Sequence, residues 1–218
     1  MSTRYVKNND TIIVGLAKNG SQSVKQISLR YGWDMLNETY ESYNNNTTVN
    51  FLDFNNPNIS IYLPLRDGIE RARSEFIQHL YDIFIYESNH RNIEYFFYKE
   101  VIPNNYFVPR WNYFDNTSMK FFINNIFYNE SWNGCKFYFF DLNNFNEKFS
   151  NHIGLDFEIP KVNTGYEREG KVFLNENISL VDFTDKFINK MFLHHFKTVD
   201  NLILNKIKKS KHWIDLNG

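Results

Sequence analysis

Ile12-Ile13-Val14-Gly15-Leu16-Ala17-Lys18-Asn19-Gly20-Ser21-Gln22-Ser23 is an apolar, β-branched run that breaks into a Gly/Ser-rich turn carrying one lysine and then enters a helix. A strand, a turn and a helix in that order make an anion cradle. Amide N–H groups of the turn and of the first helical turn point outward, the helix dipole adds about half a positive charge, and glycines admit an anion closely. Lys18 supplies a full charge. The same unit recurs along the chain. Strands are predicted at 11–16, 48–54, 59–65 and 136–141, and helices at 22–31, 68–86, 180–193 and 196–209, with a mostly helical middle. This alternation predicts an α/β fold in three layers, a parallel sheet with helices on both faces, whose ligands bind at the carboxyl ends of the strands. No repeat or linker divides the chain, so residues 1–218 read as a single domain.

Ile59-Ser60-Ile61-Tyr62-Leu63-Pro64-Leu65-Arg66-Asp67-Gly68-Ile69-Glu70-Arg71-Ala72-Arg73-Ser74-Glu75-Phe76 is a second strand running into a second helix. Arg66 stands where the strand ends. Asp67 is a candidate N-cap with Glu70 as its capping-box partner, and Ser74 lies two turns along the helix. Arg66 and Ser74 are thereby candidates to hold one phosphate together.

Gly15 and Gly20 have the spacing of the nucleotide-kinase phosphate loop, but Ser21 stands where that loop has its lysine. The two segments, in this order, instead resemble the sulfotransferases that use 3′-phosphoadenosine 5′-phosphosulfate. That family's first loop reads approximately Pro-Lys-Thr/Ser-Gly-Thr/Ser-Thr/Ser; here it stands as Ala17-Lys18-Asn19-Gly20-Ser21-Gln22-Ser23. Its second reads approximately Arg-Asp/Asn-Pro with a later serine, matched by Arg66-Asp67-Gly68 and Ser74. Phe137-Tyr138-Phe139-Phe140-Asp141-Leu142 is similar to the family's later strand, and Ile159-Pro160-Lys161-Val162-Asn163 to its Pro-x-x-Asn segment. His195 to Asp200 resembles, loosely, the terminal helix of carbohydrate sulfotransferases. Ala17 and Gly68 replace two prolines of the pattern, and no tryptophan follows the first loop.

The resemblance implies a P-loop-NTPase-like sulfotransferase fold and transfer of a sulfuryl group to a hydroxyl or amine of a small-molecule or glycan acceptor. Adenosine 3′,5′-bisphosphate is the implied product, and no metal is implied. Lys18 would neutralise charge on the leaving phosphate oxygens. Asn19, Gly20, Ser21, Gln22 and Ser23 would hold the 5′-phosphate, and Arg66 with Ser74 the 3′-phosphate. In-line transfer asks the protein chiefly to position two substrates and stabilise charge. The acceptor also needs a general base, for which Asp53 is the first candidate, with Asp34, Glu38 and His79 in competition. A nucleotide-dependent phosphotransferase and a non-catalytic nucleotide-binding protein of the same fold remain open as alternatives.

Composition sets the outer limits. The chain has 218 residues, 42% apolar and 18% aromatic, enough for a substantial core into which runs such as Phe96-Phe97-Tyr98 are expected to pack. A net charge of −1 gives no global basic field for nucleic acid, and Lys206, Lys208, Lys209 and Lys211 read as a solvated helix end. One cysteine, Cys135, excludes an internal disulfide, and no His/Cys/Asp cluster has metal-ligand spacing. The run at 12–17 is too short for a signal sequence or a membrane span, which leads to the expectation of a cytoplasmic protein with no membrane partner.

Overall fold

The computed structural model describes residues 2–16, 20–40, 53–86, 88–104, 119, 122–129, 131–160, 169–178 and 200–217. The chain folds into two compact units, one drawn from residues 1–66, 112–162 and 203–218, the other from 67–111 and 163–202.

The first unit is built on a five-stranded sheet of β1 (Ser2–Asn8), β2 (Thr11–Gly15), β3 (Asp34–Tyr40), β4 (Ser60–Leu65) and β5 (Lys136–Asp141), in the order β3-β1-β2-β4-β5. β2, β4 and β5 are parallel neighbours, whereas β1 runs antiparallel to both β2 and β3. The expected all-parallel sheet is therefore corrected to a mixed one. The cause is local. Asn9 takes a left-handed φ of 50°, and with Asp10 it closes a two-residue hairpin that returns the chain beside itself instead of across a helical crossover.

Alternation along the strands divides the core into two layers. Ile12 and Val14 of β2, with Ile61, Leu63 and Leu65 of β4 and Phe137 and Phe139 of β5, face Met119, Phe122, Ile126 and the helix Asn201–Lys208. Val6, Ile13 and Phe140 face the opposite way, onto α1 (Ser21–Tyr31) and the short helix Glu147–Ile153. Helices thus cover both faces of the sheet, as the alternating pattern predicts. Beyond β5, Trp213 forms a parallel bridge with Phe139, so the last residues occupy the sheet edge.

The second unit packs α2 (Gly68–Tyr86) against α3 (Ile93–Phe96), a π-helix at Phe97–Val101 and a helix at Glu169–Asn177, here α4. Phe76, Leu80, Phe96, Phe97 and Leu174 form its core. Arg73 donates from Nε to the carbonyl of Ile178 at 2.9 Å and from Nη2 to that of Asn175 at 2.7 Å, satisfying the carboxyl end of α4. Lys171, 5% exposed, donates to Gln78 and lies over the Tyr81 ring at 4.9 Å. The chain is thus helical from Glu169 onward and turns Lys171 into its own unit.

Strands at 59–65 and 136–141 and helices at 22–31 and 68–86 are found within one residue of expectation. β1 and β3 are additions. Of the strand expected at 48–54, only Asp53 and Phe54 are described, and both lie outside any strand. The helix expected at 180–193 lies outside the described residues, as do 196–199 of the last one.

Candidate functional site

The carboxyl edge of the parallel strands carries the candidate loop. Leu16, directly after β2, forms a parallel bridge with Gly20. Gly20 has φ 76°, a left-handed conformation natural to glycine, and is the N-cap of α1. Among the described residues no side chain caps that helix, and its first turn is a candidate to present amides to an anion. Ala17, Lys18 and Asn19 lie outside the described residues.

Both glycines of the loop have a steric reason. A Cβ on Gly15 would lie 2.6 Å from Cα of Ser21, because α1 starts directly against the strand end. One on Gly20 would lie 2.9 Å from Cδ1 of Phe145 and 3.3 Å from Cδ1 of Leu142. Leu142 follows Asp141, which pairs in register with Leu65, so the third segment of the family resemblance braces the first. Ser21 and Ser23 are buried in the first turn of α1, whereas Gln22 is exposed.

Arg4 is a part of this edge that sequence reading missed. It lies opposite Gly15 on one side and Glu38 on the other, is 5% exposed, and donates from Nη1 to the Ser21 carbonyl at 3.3 Å. A buried guanidinium therefore reaches the first turn of α1 from below. The Asn9-Asp10 turn between two β-rich runs was the signal that could have placed it there.

Arg66 leaves the sheet at the end of β4, the parallel neighbour of β2, so the loop and this arginine emerge from adjacent strands at one edge. Its Nε is buried and has no hydrogen-bond partner among the described residues. Asp67 caps α2 as the sequence suggests, its Oδ1 accepting from the amides of Ile69 at 2.8 Å and Glu70 at 3.2 Å. The two helix starts thus differ: α2 is capped by the Asp67 carboxylate, whereas among the described residues no side chain caps α1. Ser74, half-buried on α2, belongs to the second unit. Gly68 also has a reason, since a Cβ there would lie 3.2 Å from Cβ of the buried Asp200.

The base candidates are scattered. Asp53 is exposed before β4, and its Oδ1 accepts from the Asn55 amide at 3.1 Å. It lies at the amino edge, near Cys135 at the start of β5, with the length of the sheet between it and the loop. Asp34 stands opposite Lys7, also toward the amino end of β2, and His79 is on α2 in the second unit. Glu38 alone is carried by its strand to the carboxyl edge, in register with Arg4. Among the described residues, no three His, Cys, Asp or Glu side chains form a group that could hold a metal ion, and no helix is long and apolar enough to cross a membrane. No protein-family model, curated protein or solved structure matches the chain.

Proposed function

We propose that the protein is a sulfotransferase that moves a sulfuryl group from 3′-phosphoadenosine 5′-phosphosulfate to a hydroxyl or amine of a small-molecule or glycan acceptor. The supporting observation is the adjacency of two features at one sheet edge: the loop after β2, ending in a helix start without a side-chain cap among the described residues, and Arg66 after β4. In this reading the amides of Ser21 to Ser23 hold the 5′-phosphate, and Lys18 neutralises the charge that builds on the leaving oxygen. Arg66 takes the 3′-phosphate, with Ser74 its proposed companion. Binding energy collected at Arg66, away from the reacting centre, aligns the donor for transfer. Glu38 replaces Asp53 as the preferred base, because register carries it to the loop's edge.

Calorimetric titration with adenosine 3′,5′-bisphosphate, with ATP and magnesium as the comparison, tests this reading. Preferential binding of the bisphosphate is expected. Arg66→Ala weakens it by about 1.5–3 kcal/mol, the scale of a lost charge-assisted contact. Lys18→Ala chiefly removes turnover. Preference for ATP would move the protein to the phosphotransferases, and bisphosphate binding without turnover on any acceptor would make it a non-catalytic nucleotide binder.

A further inference from the structure

A groove of about 520 Å³ on the second unit lies outside everything assigned so far. Its volume falls in the range of small-ligand sites. Tyr95 and Tyr98, three residues apart where α3 passes into the π-helix, line it with rings that are 53% and 50% exposed. Exposure of two neighbouring aromatic rings on one groove wall costs hydration free energy that packing elsewhere in this aromatic chain avoids. Tyr98 is fixed by its hydroxyl, which donates to Oδ1 of Asn177 at 3.3 Å, and by edge contact with Phe173.

His90 stands beside them, held at three points. Its amide donates to Oγ of Ser88 at 3.2 Å, its ring lies 5.1 Å from that of Tyr95, and its Nε2 pairs with Oε1 of Glu100 on the π-helix. Single-turn π-helical segments recur at functional sites, and here one carries the carboxylate that orients the imidazole. Glu100 thereby fixes the orientation of the ring and leaves Nδ1 as the nitrogen it does not engage, able to donate or accept according to the tautomer. The groove therefore offers an oriented imidazole next to two aromatic faces.

Charge selects the ligand class. Arg91 and Lys99 on the groove are opposed by Glu94 on it and Glu100 behind it, so neither an anion nor a cation is favoured. Donors and acceptors around exposed aromatic faces suit a neutral ring that has an apolar face and hydroxyls at its rim. We propose that this groove binds a neutral saccharide, one ring stacked on Tyr95 and Tyr98 and one hydroxyl hydrogen-bonded to the His90 imidazole. The site stands independently of the sulfuryl-transfer reading.

The test is NMR titration of the ¹⁵N-labelled full chain with methyl β-glucopyranoside, methyl β-galactopyranoside and N-acetylglucosamine at millimolar concentrations. Saturable shifts at residues 90–99 with at least one sugar are expected, weakened about tenfold in Tyr95→Ala and retained in Tyr95→Phe. Tyr95 is exposed enough for both variants to fold, which their amide dispersion reports directly. No saturable shift with any of the three, shifts unchanged by Tyr95→Ala, or a groove that responds to adenosine 3′,5′-bisphosphate instead would each overturn the proposal. The bisphosphate titration reports separately on the loop after β2, so failure of one site is distinguishable from failure of the other.

Discussion

Arg4, the third residue of β1, donates to the carbonyl of Ser21, the residue that opens α1, at 3.3 Å. Its register partner across β2 is Gly15, so one buried cation ties together the end of the strand and the start of the helix. Arg4→Met should lower the unfolding free energy in urea by about 1.5–3 kcal/mol, the scale for a hydrogen bond to a charged group. It should also weaken bisphosphate binding, with Arg4→Lys restoring part of it. A methionine variant as stable as the parent would remove Arg4 from the support of the loop.

The loop glycines should rank in a fixed order. Gly15→Ala drives a methyl group into backbone atoms of Ser21, at 2.6 and 2.9 Å, which cannot swing aside, and overpacking of this kind costs about 1–3 kcal/mol. Gly20→Ala adds contact with Phe145 to the left-handed penalty of about 1–2 kcal/mol. Gly32→Ala, with φ 70° and nothing within 4 Å, bears the conformational penalty alone and is the control. Melting temperatures should fall least for Gly32→Ala, and an equal fall for all three would deny the steric account.

Asp53 and Glu38 occupy opposite edges of one sheet. If the acceptor is deprotonated at the loop, Glu38→Gln lowers the single-turnover rate about a hundredfold, within the usual range for a lost general base. Asp53→Asn should leave that rate unchanged. The reverse pattern would place the acceptor at the amino edge.

Restoring the family's proline should harm this chain. Gly68→Pro puts atoms where Asp200 already lies, with a Cβ at 3.2 Å from that side chain. Chemical denaturation should show a loss of about 1–3 kcal/mol for the overpacked site. Asp200→Ala in the same chain should recover part of it by making room.

Burial, with the Asp53 carboxylate nearby, pushes the Cys135 thiol from an ordinary 9.0 up to about 12. Between those values the unfolded chain has lost the thiol proton and the folded chain has kept it. Fewer protons on the unfolded state mean that stability falls as pH rises through this window. Cys135→Ala should flatten that part of a urea-stability profile. A neutral-pH thiol reagent should label Cys135 only as fast as the chain opens.

Hydrophobic pattern and turn chemistry made much of the fold legible. Ile12 to Val14, Ile59 to Leu65 and Phe137 to Phe140 are apolar runs bounded by turn signals, and Gly32 marks the stop of α1 with φ 70°. β1 and β3 escaped notice because their apolar residues stand in adjacent pairs, Tyr5-Val6 and Met35-Leu36, and show no alternation. A strand buried on both faces, or at an edge, gives little period-two signal.

The sequence by itself determined the loop after β2, the cap at Asp67 and the strand that ends in Arg66, because these depend on neighbours within a few residues: glycine conformers, capping side chains and β-branched runs. Only the tertiary structure decided which edge each candidate occupies. Strand order set Arg4 between Gly15 and Glu38 and left Asp53 at the far edge. Those placements follow from hydrogen-bond register between segments distant in the chain, which no local pattern encodes.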